Sequence, residues 1–128
     1  MITAIVETLL DNSAVTAIVD QRVEPWQRAE GGAATLPCVL YGIDGEDCTR
    51  GLNGTVLKQA TLRVSSFSTS LASSQLLDEK VIDALDGVKP TGIDSIRRVS
   101  TEWETVEPFD GSEEYYYETS TLFYGLYT

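Results

Sequence analysis

The sequence predicts an α+β fold: a mostly antiparallel sheet of about four strands with helices packed on one face. Three observations carry this. Extended segments follow one another directly, with helical segments interposed rather than alternating strictly with them. One segment, Ser70 to Asp86, has clear helical periodicity. The chain is 128 residues long, with no internal repeat and no linker, so one domain over 1–128 is expected.

The elements follow in order. Ile2, Ile5, Val6 and Leu9 recur at helical spacing, and Asp11-Asn12-Ser13 interrupts them. Ser13 is a suitable N-cap for a second short helix ending near Asp20. Arg22 to Gln27 reads as a short extended piece that Pro25 confines to an edge or a turn. Ala29 to Thr35, with Gly31-Gly32, reads as a loop. Pro37 opens the apolar run Cys38 to Ile43, which suits a strand covered on both faces. Asp44 to Asn53 reads as a polar loop, and Asn53-Gly54 can supply the positive φ angles of a hairpin turn.

A long strand is expected from Thr55 to about Ser66. Val56, Ala60, Leu62 and Val64 share one face, and Gln59, Thr61, Arg63 and Ser65 the other. Lys58 breaks the apolar face near the start, where the strand could project out of the sheet. In the Ser70–Asp86 helix, Leu77, Val81, Ala84 and Leu85 form the apolar stripe, and Gly87 stands where a C-terminal cap belongs. Leu76 falls on the polar side and reads either as a half-exposed leucine or as a subunit contact. After a Val88–Gly92 turn, Ile96 to Val106 reads as a strand with Val99 and Trp103 on one face. Glu107 to Glu114 is an acidic turn, and Tyr115 to Tyr127 a last strand rich in aromatic and β-branched residues.

Composition narrows the function. There are 20 Asp+Glu against 9 Lys+Arg, a net charge of −11. Such a surface repels phosphate backbones and anionic headgroups, which disfavours a nucleic-acid or membrane-surface module. There is no histidine, which removes His-based nucleophilic catalysis, general-base chemistry and metal ligation together. The expectation is a binding or structural protein, not an enzyme, with no metal and no cofactor. The N-terminus carries Glu7 and no basic, apolar leader, so a reducing compartment and free thiols are expected for Cys38 and Cys48.

The remaining motifs have plain structural readings. Asp44-Gly45-Glu46-Asp47 lacks the alternating acidic spacing and terminal Glu of a calcium loop. Gly42-Ile43-Asp44-Gly45 and Gly51-Leu52-Asn53-Gly54 fit G-x-x-G but lie between strands, where glycine serves turns. Glu102 and Glu104 lie on one side of a strand, but the chain is small for a glycosidase cleft. Tyr115-Tyr116-Tyr117 suits core packing and a protein interface equally.

Several stretches together resemble the tail-completion, or tail-terminator, proteins of long-tailed bacteriophages. Val19-Asp20-Gln21-Arg22-Val23 resembles that family's corner after the first helix, where glycine or aspartate follows the valine. Leu36-Pro37-Cys38-Val39-Leu40-Tyr41 resembles its leucine-proline entry to an apolar strand. Thr49-Arg50-Gly51-Leu52-Asn53-Gly54 looks like the loop before its long strand, and Arg63 to Ser68 like its strand-to-helix junction. Ala84-Leu85-Asp86-Gly87 resembles its helix ending, and Leu122 to Tyr127 its C-terminal strand. The matches span most of the chain in the right order and encode turns and strands rather than chemistry. Trp26 to Ala34 and Cys48 match nothing in that pattern.

The resemblance implies a subunit of a homo-oligomeric ring, commonly a hexamer, at the head-proximal end of a virion tail, assembled in the host cytoplasm. The ring would cap the tail tube, stop its polymerisation and meet the head connector. The implied subunit contacts are Arg50, Leu52, Asn53, Lys58 and Leu76. DNA would only pass through the lumen, and Asp44, Glu46, Asp47, Glu113 and Glu114 are the candidates for lining it and repelling phosphate. Two alternatives stand beside this: a head-completion or neck protein of the same particle, and a monomeric acidic binding or inhibitor module.

Overall fold

A computed structural model describes residues 2–25, 37–52, 54, 56–88, 93–106 and 116–127. Helices α1 (Ile2–Asp11) and α2 (Ser13–Val19) lead into β1 (Val23–Pro25), β2 (Cys38–Arg50) and β3 (Val56–Ser68). Helix α3 (Leu71–Leu85) is followed by β4 (Ser95–Val106) and β5 (Tyr116–Tyr127). The strands form one sheet in the order β1-β2-β3-β5-β4. All neighbours are antiparallel except β1 and β2. The α+β class and the antiparallel character agree with expectation, but the sheet has five strands rather than about four. The extra one is β1, three residues that pair in parallel with Val39–Tyr41 at the sheet edge, where Pro25 loses no ladder bond. Arg22 ties this corner down by donating from Nε to the Pro37 carbonyl at 2.8 Å.

The local signals act as their chemistry dictates, with one shift. Asn12, not Ser13, caps α2: its Oδ1 accepts from the Ala14 and Val15 N–H groups at 3.0 and 3.1 Å. Ser70 caps α3 by accepting from the Ser73 N–H at 3.2 Å. Gly87 takes φ +77 just past the helix, as a C-terminal cap requires, and donates its N–H to the Ile96 carbonyl at 2.8 Å. Helix α3 is therefore tied to β4 as it ends. Asp20, which closes α2, is the only described non-glycine residue with positive φ, at φ 58 and ψ −115. Asp20→Gly is expected to raise stability by about 1 kcal/mol by relieving this strain. Urea unfolding checks it, and an unchanged or lowered midpoint rejects it.

The helices cover one face of the sheet. Leu62, Val64, Ile96 and Phe123 from the strands meet Leu77, Val81 and Leu85 of α3, and Ile5, Leu9, Val15 and Val19 close the core from α1 and α2. Val99 and Trp103, read as sharing one face of β4, are both exposed. The register slips between Arg98 and Ser100, leaving Val99 without a cross-strand partner, and Trp103 is 62% exposed.

Asp44 to Asn53 was expected as a loop, and this is corrected: β2 continues as strand through Arg50, paired rung by rung with β3 as far as Val56. The pairing steps past Asp44 at a bulge between Ile43 and Gly45. The connection is a tight one through Gly54, whose φ is +84 and whose N–H donates to the Gly51 carbonyl at 3.1 Å. The loops expected at 29–35 and 107–114, the turn residues 89–92 and Tyr115 lie outside the described residues.

Candidate functional site

The β2–β3 hairpin reaches past the rest of the sheet. β5 ends at Tyr127, opposite Lys58, and the rungs Thr49–Leu57 and Arg50–Val56 lie beyond it. Residues 43–52 are exposed throughout. This is the projection that Lys58 signalled. An extended hairpin standing clear of its own core is a shape that suits contact with another chain.

Side chains brace its base on both faces. On the helix-side face, the Lys58 ammonium sits 5.6 Å from the centroid of the Tyr127 ring. The Tyr127 hydroxyl is hydrogen-bonded to Glu46, and this carboxylate pushes the phenol up to about 12, with burial and the Glu46 charge adding to the effect. On the open face, Arg63 Nε meets Asp44 Oδ2 at 3.2 Å. Asp44 stands at the bulge, so the extra residue aims a carboxylate at the neighbouring strand.

The expected contact residues are distributed as follows. Arg50 and Leu52 are exposed at the hairpin tip, Leu52 completely. Lys58 is half-buried at its base. Leu76 is 49% exposed on the outer side of α3, away from the hairpin's strands in sequence and on a different element. Asn53 lies outside the described residues. The expected acidic set does not share one surface. Register places Asp47 with Gln59 on the open face beside Asp44, and Glu46 with Ala60 on the helix-side face. Glu113 and Glu114 lie outside the described residues.

One polar cluster was not foreseen. Under α3, the Thr121 hydroxyl donates to Asp78 Oδ2 at 2.8 Å, Ser74 and Thr119 share a hydrogen bond of 2.6 Å, and Ser74 Oγ also donates to the Ser66 carbonyl at 3.1 Å. Asp78 is 2% exposed, and its Oδ1 has no partner at hydrogen-bonding geometry among the described residues. Burial pushes its carboxyl up to about 6, against the opposing pull of Thr121, the Arg98 charge and the nearby Ser66. A signal for it exists: Ser74 and Asp78 fall four residues apart on the buried stripe, facing a strand that alternates Thr119, Thr121 and Phe123 inward.

The two cysteines are unpaired, at opposite ends of β2: Cys38 buried, Cys48 exposed. Burial, with the Glu24 carboxylate, pushes the Cys38 thiol up to about 11, which leaves it inert as a nucleophile. Among the described residues, no three His, Cys, Asp or Glu side chains converge as metal ligands. No described helix is long and apolar enough to cross a membrane.

No protein-family model and no curated protein matches the chain. Among solved structures, it is similar to a chain in the virion of a native gene transfer agent (GTA) particle, with a TM-score of 0.71 and 16% sequence identity. The match covers 98% of this chain and 92% of that one. At that identity the likeness is one of fold.

Proposed function

We propose that this protein is a structural subunit of a phage-like particle, forming a ring that caps the tail tube and joins it to the head connector. The observation that carries the reading is the end-to-end likeness in fold to a chain of a virion particle. The exposed hairpin supports it from the other side. A ring is closed by heterologous contacts, each copy offering one surface to a different surface of the next. A hairpin standing clear of the core can serve as one of them. The net charge of −11 suits a channel through which DNA passes without sticking. On this reading the protein works by assembly and carries out no catalysis.

The decisive experiment measures native mass alone and with purified tail tubes, and images particles made without the gene. A ring mass, with overlong headless tails in its absence, supports a terminator. Normal-length free tails with leaking heads would make it a neck protein instead, and a single-copy mass under both conditions would reject the ring.

Arg50 is a scarce cation at the hairpin tip of an acidic protein, which is where pairing across an interface is worth most. Arg50→Glu is expected to weaken ring formation by about tenfold or more in concentration. Light scattering across a dilution series checks this, and an unchanged oligomer mass counts against it.

A further inference from the structure

The sheet carries opposite charges on its two opposite edges, at the same height. Arg97 of β4 pairs with Tyr124, Tyr124 with Thr61, and Thr61 with Gly45, so Arg97 and Gly45 share one level across the sheet. Asp44 adjoins that level on β2, and Asp47 lies two residues along. Arg97, Asp44 and Asp47 all belong to the open face. The helix-side face repeats the arrangement: Arg98 is level with Ile43, and Glu46 with Ile96, two rungs away. Arg97 and Arg98 are exposed, and neither forms an ion pair among the described residues. Beyond Tyr41, no described strand covers the outer edge of β2.

We infer that the acidic edge of β2 (Asp44, Glu46, Asp47) receives the basic corner of β4 (Arg97, Arg98) of a second copy. The inference rests on the ring reading above and adds which surfaces meet. Because the two charged edges stand level, docking one on the other needs no shift along the strands. A heterologous contact without such a rise closes into a ring where its rotation divides a full turn, whereas one with a rise winds into a filament. The contact is made by side chains and does not continue the ladder. At this level the outward backbone of β4 is already occupied: the Arg98 N–H donates to Asp86 Oδ1 and the Ile96 carbonyl accepts from Gly87, both at 2.8 Å. Three rungs below Arg98, Glu102 is level with Leu40, beside which Glu24 of β1 stands. Without the arginines, the two edges would therefore only repel.

The test uses Arg97, since Arg98 also acts on buried Asp78. Native mass is measured for the wild type, Arg97→Glu, and Arg97→Glu combined with Asp47→Arg, each alone and with purified tail tubes, with thermal melts as a folding control. Arg97→Glu is expected to require about tenfold more protein to form the ring, with an unchanged melt, and the combined variant to recover wild-type assembly. A ring unaffected by Arg97→Glu, or one that the reversed pair fails to restore, overturns this contact and leaves the ring reading standing. A wild type that stays single-copy under both conditions overturns both.

Discussion

Asp78→Asn is expected to stabilise the protein at pH 7 and to flatten its stability between about pH 4 and pH 6. The carboxyl is pushed up to about 6 in the fold from an ordinary 3.8, because burial opposes its charge more than Thr121, Arg98 and Ser66 favour it. The sign follows from proton counting. Between those two values the folded chain holds the proton and the unfolded chain has released it, so stability falls as pH rises through the interval. The contribution is fully present below 3.8 and lost above about 6. A displacement of about two pH units corresponds to roughly 3 kcal/mol at most. Asparagine keeps an oxygen to accept the Thr121 hydroxyl and puts an N–H donor where Oδ1 has no partner, close to Ser66. A gain of about 1–3 kcal/mol at pH 7 is expected from urea unfolding, shrinking toward zero near pH 4. A loss at pH 7, or an unchanged pH slope, would show that Asp78 is held by a partner stronger than those described.

Phe123→Ala is expected to cost about 3–5 kcal/mol. Phe123 is fully buried, opposite Leu62 on β3 and Arg98 on β4, on the face that α3 covers. Its ring belongs to the same core cluster as Leu77, Val81 and Leu85, and strands on both sides prevent collapse into the space left behind. A domain of this size has a total stability of about 5–15 kcal/mol, so the variant should melt far below the wild type or fail to fold. A shift in urea midpoint equivalent to less than about 1 kcal/mol would mean that the helix layer is loosely seated on the sheet.

Helix α3 was legible because two independent signals coincide in it, the stripe through Leu77, Val81 and Leu85 and the Gly87 stop; the structure adds the Ser70 cap. The far half of β2 was not legible. Asp44 to Arg50 carries no apolar alternation, since both of its faces are exposed, and what holds it extended is the ladder to β3. Polar patterning reads as loop wherever the partner strand, rather than a core, supplies the order. Trp103 pairs with Thr119, whose side chain faces α3, yet on the edge strand β4 it stays 62% exposed, which its residue type and spacing do not show. Asp78 was hidden because a carboxylate on a helix is ordinarily solvated, and it is the inward Thr121 hydroxyl, with the Arg98 charge and Ser66, that eases its burial.

By itself, the amino-acid order determined where helix α3 begins and ends, which turns need glycine, and that the chain carries a net charge of −11 and no histidine. These are properties of neighbouring residues and of sums over the chain, so they need no folded partner. Only the tertiary structure decided that β2 extends into a projecting hairpin, that its carboxylates divide between two faces, and that Arg97 stands level with them on the far edge. Those relations are set by cross-strand register, which joins positions as far apart as Gly45 and Arg97 and which a one-residue slip would reverse.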